Sequence, residues 1–189
     1  MKKLNLLIGI IISTIILSCS SNDNNQDETS KIISEFVLNQ TKYLTSKGYI
    51  FEPKNSEQTI FLLNGKILNN EWLGKGCDYS NDLKHGIIFN EILSSENGLQ
   101  SGTYKLTNPF PSEKSIANIS IINNIVMSSN CIASGTEISS STGQIVSGIL
   151  NIEKEDNMYT LNYTIETSDF GTIKGTYLGE LELTQDLSD

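Results

Sequence analysis

Few residue types in this chain can do chemistry, and those are scarce. Histidine occurs once, at His85, so a serine or cysteine triad would have to be assembled around one imidazole. No Gly-x-Ser-x-Gly elbow accompanies it; Ser101-Gly102 and Ser147-Gly148 instead open strand-like runs. A single histidine also excludes three-histidine and His-Cys zinc centres and haem held by two histidines. Asp78-Tyr79-Ser80-Asn81-Asp82 sets oxygens at alternate positions, as a calcium loop does. Its sixth position is Leu83 rather than glycine and its twelfth is Phe89 rather than glutamate, so the EF-hand pattern fails. Glu91, Glu153, Glu166, Glu180 and Glu182 fall mostly on the polar phase of strand-like runs and read as solvated faces rather than as a glycosidase pair. No catalytic residue, metal site or cofactor is therefore expected, and His85 reads as a solvated loop residue. Tyr104, Tyr159, Tyr163 and Tyr177 read as core. Trp72 and Tyr79, flanking Gly74-Lys75-Gly76, are the candidate ligand contacts, because such rings offer an apolar face and a polar tip.

Cysteine is the one reactive type with an assignable role. Lys2 and Lys3 precede a nearly apolar run, Leu4–Leu17, which ends at Ile16-Leu17-Ser18-Cys19. The run has about 14 residues where crossing a bilayer core takes roughly 20, so it reads as a secretion leader rather than a permanent span. The junction resembles the bacterial lipobox, in which a small residue precedes a cysteine that is lipidated before cleavage. That resemblance makes residues 1–18 a lipoprotein signal peptide and Cys19 the palmitate-bearing, membrane-held first residue of the mature chain. Each buried methylene of an acyl chain contributes about 0.8 kcal/mol, so several chains hold firmly. Ser20 to Ser30 has no apolar residue and carries Asp23, Asp27 and Glu28, so residues 19–31 are expected to form a flexible acidic tether. Acids just after the lipidated cysteine resemble the export signal that sends Bacteroidetes lipoproteins to the outer face of the outer membrane. Outer-membrane, surface-exposed attachment is the expectation, with the periplasmic face as the alternative.

Cys77 and Cys131 are a candidate disulfide. Outside the cytoplasm such a pair oxidises readily, and closing a loop of about 55 residues contributes about 4 kcal/mol in the chain-entropy model. Two separate buried thiols are the rival reading, and geometry decides between them.

Net charge is −9, and all 13 basic residues are lysine. Nucleic-acid binding wants a basic face and usually arginine forks, so it is excluded as a function class. Arginine clamps on phosphate or carboxylate are excluded with it.

Residues 32–185 are the size of one domain, and they read as strands and turns. In Met158 to Glu166, Tyr159, Leu161, Tyr163 and Ile165 alternate with polar residues, the period-two mark of a half-buried strand. Val146, Gly148, Leu150 and Ile152 alternate before it, and Ile173, Tyr177, Leu181 and Leu183 follow on one face. This predicts three consecutive antiparallel strands from about 144 to 184, turning at Glu155-Asp156-Asn157 and at Ser168 to Gly171. Upstream, β-rich runs cover 49–52, 59–63, 67–73, 86–93, 103–106, 116–122 and 125–133. Asn64-Gly65, Asn97-Gly98, Asn108-Pro109 and Asn123-Asn124 separate most of them. Short strands at this spacing indicate an all-β antiparallel sandwich or flattened barrel of about 8–10 strands, with a closed lipocalin-like barrel as the alternative. Residues 30–47 fit either a helical stripe or two short strands around Asn39-Gln40.

The layout resembles small surface lipoproteins of Bacteroidetes, whose mature domain runs from an opening F-x-L-(N/D)-G-x-x-Y hairpin through L-x-S-G-T-Y to a glycine-punctuated closing set of strands. Here the opening is Phe36-Val37-Leu38-Asn39-Gln40-Thr41-Lys42-Tyr43, with Gln40 where glycine is usual. The centre is Leu99-Gln100-Ser101-Gly102-Thr103-Tyr104, and the end is Ser147–Ile152, Tyr159–Tyr163 and Gly171–Leu181. The resemblance favours strands over a helix at 36–44 and implies a compact β domain behind a lipid anchor, with no catalytic residues to carry over. The functional expectation is a non-enzymatic module that binds a glycan, peptide or partner protein at the envelope. A lipocalin-like carrier of a small apolar ligand is the alternative.

Overall fold

The computed structural model describes residues 33–52, 57–68, 78–94, 98–107 and 112–184. Every regular element among them is a strand: β1 (Glu35–Leu38), β2 (Thr41–Leu44), β3 (Lys47–Phe51), β4 (Glu57–Leu63), β5 (Gly86–Leu93), β6 (Gly102–Leu106), β7 (Ser115–Ser128), β8 (Cys131–Ser139), β9 (Ile145–Glu155), β10 (Met158–Thr167), β11 (Gly171–Glu180) and β12 (Glu182–Thr184). They form one sheet in the order β12-β3-β4-β5-β7-β6-β9-β10-β11-β1-β2, with β8 added along the outer half of β7.

The all-β reading holds, as a flattened half-barrel. The sheet curls because its distant members meet: Tyr177 and Leu181, at and beyond the end of β11, pack on the backbone of Gly48 in β3. Leu181 alone links β11 to β12, which lies on the far edge beside β3. No ladder joins β12 to β2, so the sheet is open at this seam rather than a closed lipocalin-like barrel. It is also mixed rather than purely antiparallel, since β6 pairs with β7 and β12 with β3 in parallel.

The predicted closing strands are β9, β10 and β11, antiparallel over their whole length. Leu183 does not continue the inward face of β11; it lies on β12 and is exposed, while Thr184 is buried. Residues 35–44 form strands, as the opening motif implied. Their turn places Asn39 and Gln40 at φ 49° and 65°, the double left-handed geometry of a type I′ hairpin. Glutamine there carries the cost of a left-handed backbone that glycine avoids. Gln40→Gly is expected to raise stability by about 1 kcal/mol; an unchanged or lower urea midpoint would contradict this turn geometry.

Asn123-Asn124 is not a turn. β7 runs through it with shifts of register against β8, and Asn124 takes the left-handed conformation of a bulge (φ 52°). The hairpin turns instead at Ser129 and Asn130, both at positive φ. Of the predicted 67–73 strand, Ile67 makes an isolated bridge to Tyr79; residues 69–73 lie outside the described residues, as do Asn97 and Asn108-Pro109.

Two apolar clusters hold the sheet. The concave interior is filled from all sides by Phe36, Phe89, Tyr104, Tyr163 and aliphatic neighbours, Phe36, Phe89 and Tyr104 being fully buried. The second cluster coats the outer face of β3, β4, β5 and β7. Tyr49, Phe61 and Leu63 project from the sheet there and are covered by Ile67, Tyr79 and Leu83 from the 64–85 connection and by Ile125. Burial on both faces explains why β4 reads as a continuous apolar run at Ile60–Leu63.

Candidate interaction surfaces

The other half of the sheet leaves its outer face open. Ladder register places Thr103, Asn151, Asn162, Thr176 and Glu35 in one row across β6, β9, β10, β11 and β1. The next row is Lys105, Ile149, Thr164, Lys174, Val37 and Lys42. The face is polar and partly self-satisfied: Thr103 Oγ1 donates to Asn151 Oδ1 at 2.7 Å, and Thr172 Oγ1 to Glu166 Oε2 at 2.8 Å. Tyr104, Tyr159, Tyr163 and Tyr177 all point the other way, into the core. Among the described residues every tyrosine and phenylalanine is buried or half-buried.

Of the two candidate ligand contacts, the one that is described, Tyr79, is not on the surface. Tyr79 is buried in the second cluster, where burial pushes its hydroxyl above the ordinary 10. Its neighbour in that cluster, Tyr49, accepts the Ile67 N–H at its hydroxyl (3.2 Å). Trp72 lies outside the described residues, as do Cys19 and Cys77. Three oxygens of the acidic loop are engaged within the fold. The Asp78 carbonyl accepts from Leu68 N (2.7 Å), the Asp82 carbonyl from Asn64 Nδ2 (2.8 Å), and Asn81 Oδ1 from Asn130 N (3.2 Å). Among the described residues no group of three His, Cys, Asp or Glu side chains is placed to hold a metal.

His85 lies in the connection just before β5, as a loop residue, but it is half-buried rather than solvated. Its ring packs edge-on against Tyr43 (5.1 Å between centroids) and Phe36 (6.1 Å), and Nε2 donates to the Leu44 carbonyl at 2.8 Å. Asn123 Nδ2 also reaches the Tyr43 hydroxyl (3.2 Å), so β7 and the start of β5 are fastened to the β1–β2 hairpin across the curl. Sequence reasoning missed this because the three rings are far apart in the chain and meet only when the sheet curls. Burial pulls the imidazole below its ordinary 6.5, with the Leu44 hydrogen bond a smaller opposing effect. As pH falls, the unfolded chain therefore takes up this proton first, and stability declines from about pH 6.5 downward until the folded imidazole also protonates. Urea melts across about pH 8 to 5 should show this decline in the wild type and lose it in His85→Gln; the same slope in both would assign it elsewhere.

The strand β8 is the remaining surface feature. Cys131 at its start is disulfide-bonded, and Asn130 just before it is tied to the 78–81 segment, its carbonyl accepting from Tyr79 N at 3.2 Å. At its far end Ser120, Ser139, Ser140 and Asn118 form a hydrogen-bonded group. Within it Ser140 Oγ donates to Asn118 Oδ1 and accepts from Ile119 N (3.1 Å), and Ser120 Oγ donates to Glu137 Oε1 (2.8 Å). Between these anchors Ile132 to Glu137 are all exposed, and among the described residues β8 pairs with β7 only. Against known proteins, no family model, no curated protein and no solved structure matches the chain.

Proposed function

We propose that this chain is a bacterial lipoprotein, held by acyl chains on Cys19 at the outer face of the outer membrane, whose β domain is a non-enzymatic module that binds a peptide or partner protein. The observation that carries the reading is a leader ending in Ser18-Cys19 ahead of one packed β unit, Ile32–Asp189. A carrier of an apolar ligand would use the concave interior, and that space is occupied by Phe36, Phe89, Tyr104 and Tyr163, which favours recognition on the outside. A glycan is the less favoured occupant, because stacking on sugar needs an exposed ring and the described tyrosines and phenylalanines are buried or half-buried.

The test is cross-linking in intact cells, followed by purification of the full chain in detergent and mass spectrometry. A discrete adduct with a protein or peptide is expected. A small apolar molecule retained without cross-linking would replace this reading with the carrier, and no adduct of any kind would contradict it.

A further inference from the structure

We propose that the outer edge of β8, from Ile132 to Glu137, takes up an extended peptide as an added strand; this rests on the binding-module reading and names its partner. In an antiparallel pair about half the residues of each strand turn N–H and C=O toward the partner and half turn them outward. Among the described residues β8 pairs with β7 only, through a ladder whose register shifts twice opposite Ile132–Thr136, so the groups that its six exposed residues turn outward are presented to solvent. An unpaired edge of this kind is a template for another chain.

The sheet's other edges are blunted by brevity. β12 has three residues, and β2 has four, with Lys42 paired to Glu35 at 2.6 Å. β8 has nine. Its exposed stretch holds neither proline nor lysine, and its side chains at 133–136 are Ala, Ser, Gly and Thr, which leave the backbone reachable. Both ends are fixed, by the Cys131 disulfide and the Asn130 contacts at one and by the serine group at the other. A partner would therefore meet an edge that is already ordered.

Size and charge select the occupant. Six residues span about 20 Å of strand, and one added strand of that length covers only part of the roughly 1,200–2,000 Å² a stable protein pair buries, so a second folded copy is a poor fit. Two mature chains, at −11 each once Lys2 and Lys3 leave with the leader, would also repel. A short peptide draws affinity from main-chain hydrogen bonds and suffers neither limit. The one charge on the edge is Glu137, so the fitting peptide is extended, largely uncharged, and carries a basic residue opposite that carboxylate.

The test varies the probe and leaves the protein untouched. The full chain in detergent micelles is titrated with a capped heptapeptide of alternating threonine and valine bearing one lysine, and with two versions N-methylated on odd or on even residues. Affinity is read by fluorescence anisotropy and location by amide NMR shifts. Strand addition predicts binding of the parent and of one methylated version, loss of at least about tenfold for the other, and shifts centred on Ile132–Glu137. Equal binding of all three, shifts elsewhere, or no binding by any would overturn the edge proposal. A protein adduct in the cell cross-linking experiment would in those cases keep the wider reading standing, and its absence would end both.

Discussion

Phe36→Ala is expected to lower the unfolding free energy by about 3–5 kcal/mol, the range for emptying a buried phenylalanine site. Phe36 is fully buried, stacks on Tyr43 at 5.0 Å between ring centroids and 15° between planes, and meets the edge of His85. It stands on β1, near one end of the sheet order, yet packs in the main interior cluster. Removing it opens a void where the curl is fastened, and rigid β-ladders on either side limit how far the walls can collapse. Domains of this size are stable by about 5–15 kcal/mol, so the variant should sit near the edge of folding. A second readout goes with it: His85, its packing partner gone, should titrate closer to 6.5, because burial is what pulls it down. A loss under about 1 kcal/mol with an unmoved His85 titration would mean that this contact does not close the sheet.

Cys131→Ser should cost about 4 kcal/mol under oxidising conditions, from the loop entropy of about 55 residues returned to the unfolded chain. Cys131 is disulfide-bonded, and we assign Cys77 as its partner. That sulfur lies outside the described residues, but the segment just after it is bonded to the turn just before Cys131, through Tyr79 N to the Asn130 carbonyl and Asn130 N to Asn81 Oδ1. On the proposed acylation of Cys19, Cys77 is also the one cysteine left among the three in the chain. Peptide mapping without reductant should recover a 77–131 linked pair, and reductant should lower the wild type to the variant's stability. A free Cys77 or an insensitive melt would refute the assignment.

The sequence made the C-terminal strands legible because each has one wet and one dry face, so Tyr159, Leu161, Tyr163 and Ile165 alternate with polar residues on β10. β8 was illegible for the opposite reason. Six of its nine residues are exposed on both faces, leaving no period to detect, and Asn123-Asn124 imitates a turn where the chain only bulges. The second cluster was hidden as well. Tyr79 looked available because it flanks the glycine-rich Gly74-Lys75-Gly76, and only the fold shows its ring packed over the outer face of β3, β4, β5 and β7. Parallel pairing of β12 with β3 leaves no local signature, since its partner is more than a hundred residues upstream.

The proposed interaction surface was the least readable part, because an open edge is defined by which ladder is missing and not by any residue type. The proposed anchor rests on a contiguous stretch of sequence, residues 1–19, and not on the fold. Metabolic labelling with an alkyne palmitate analogue, comparing wild type with Cys19→Ala, tests the anchor most directly. The account predicts label on the wild-type chain and none on the variant, whose leader stays uncleaved because cleavage follows lipidation. Persistent label on Cys19→Ala, or an unlabelled wild type, would contradict it.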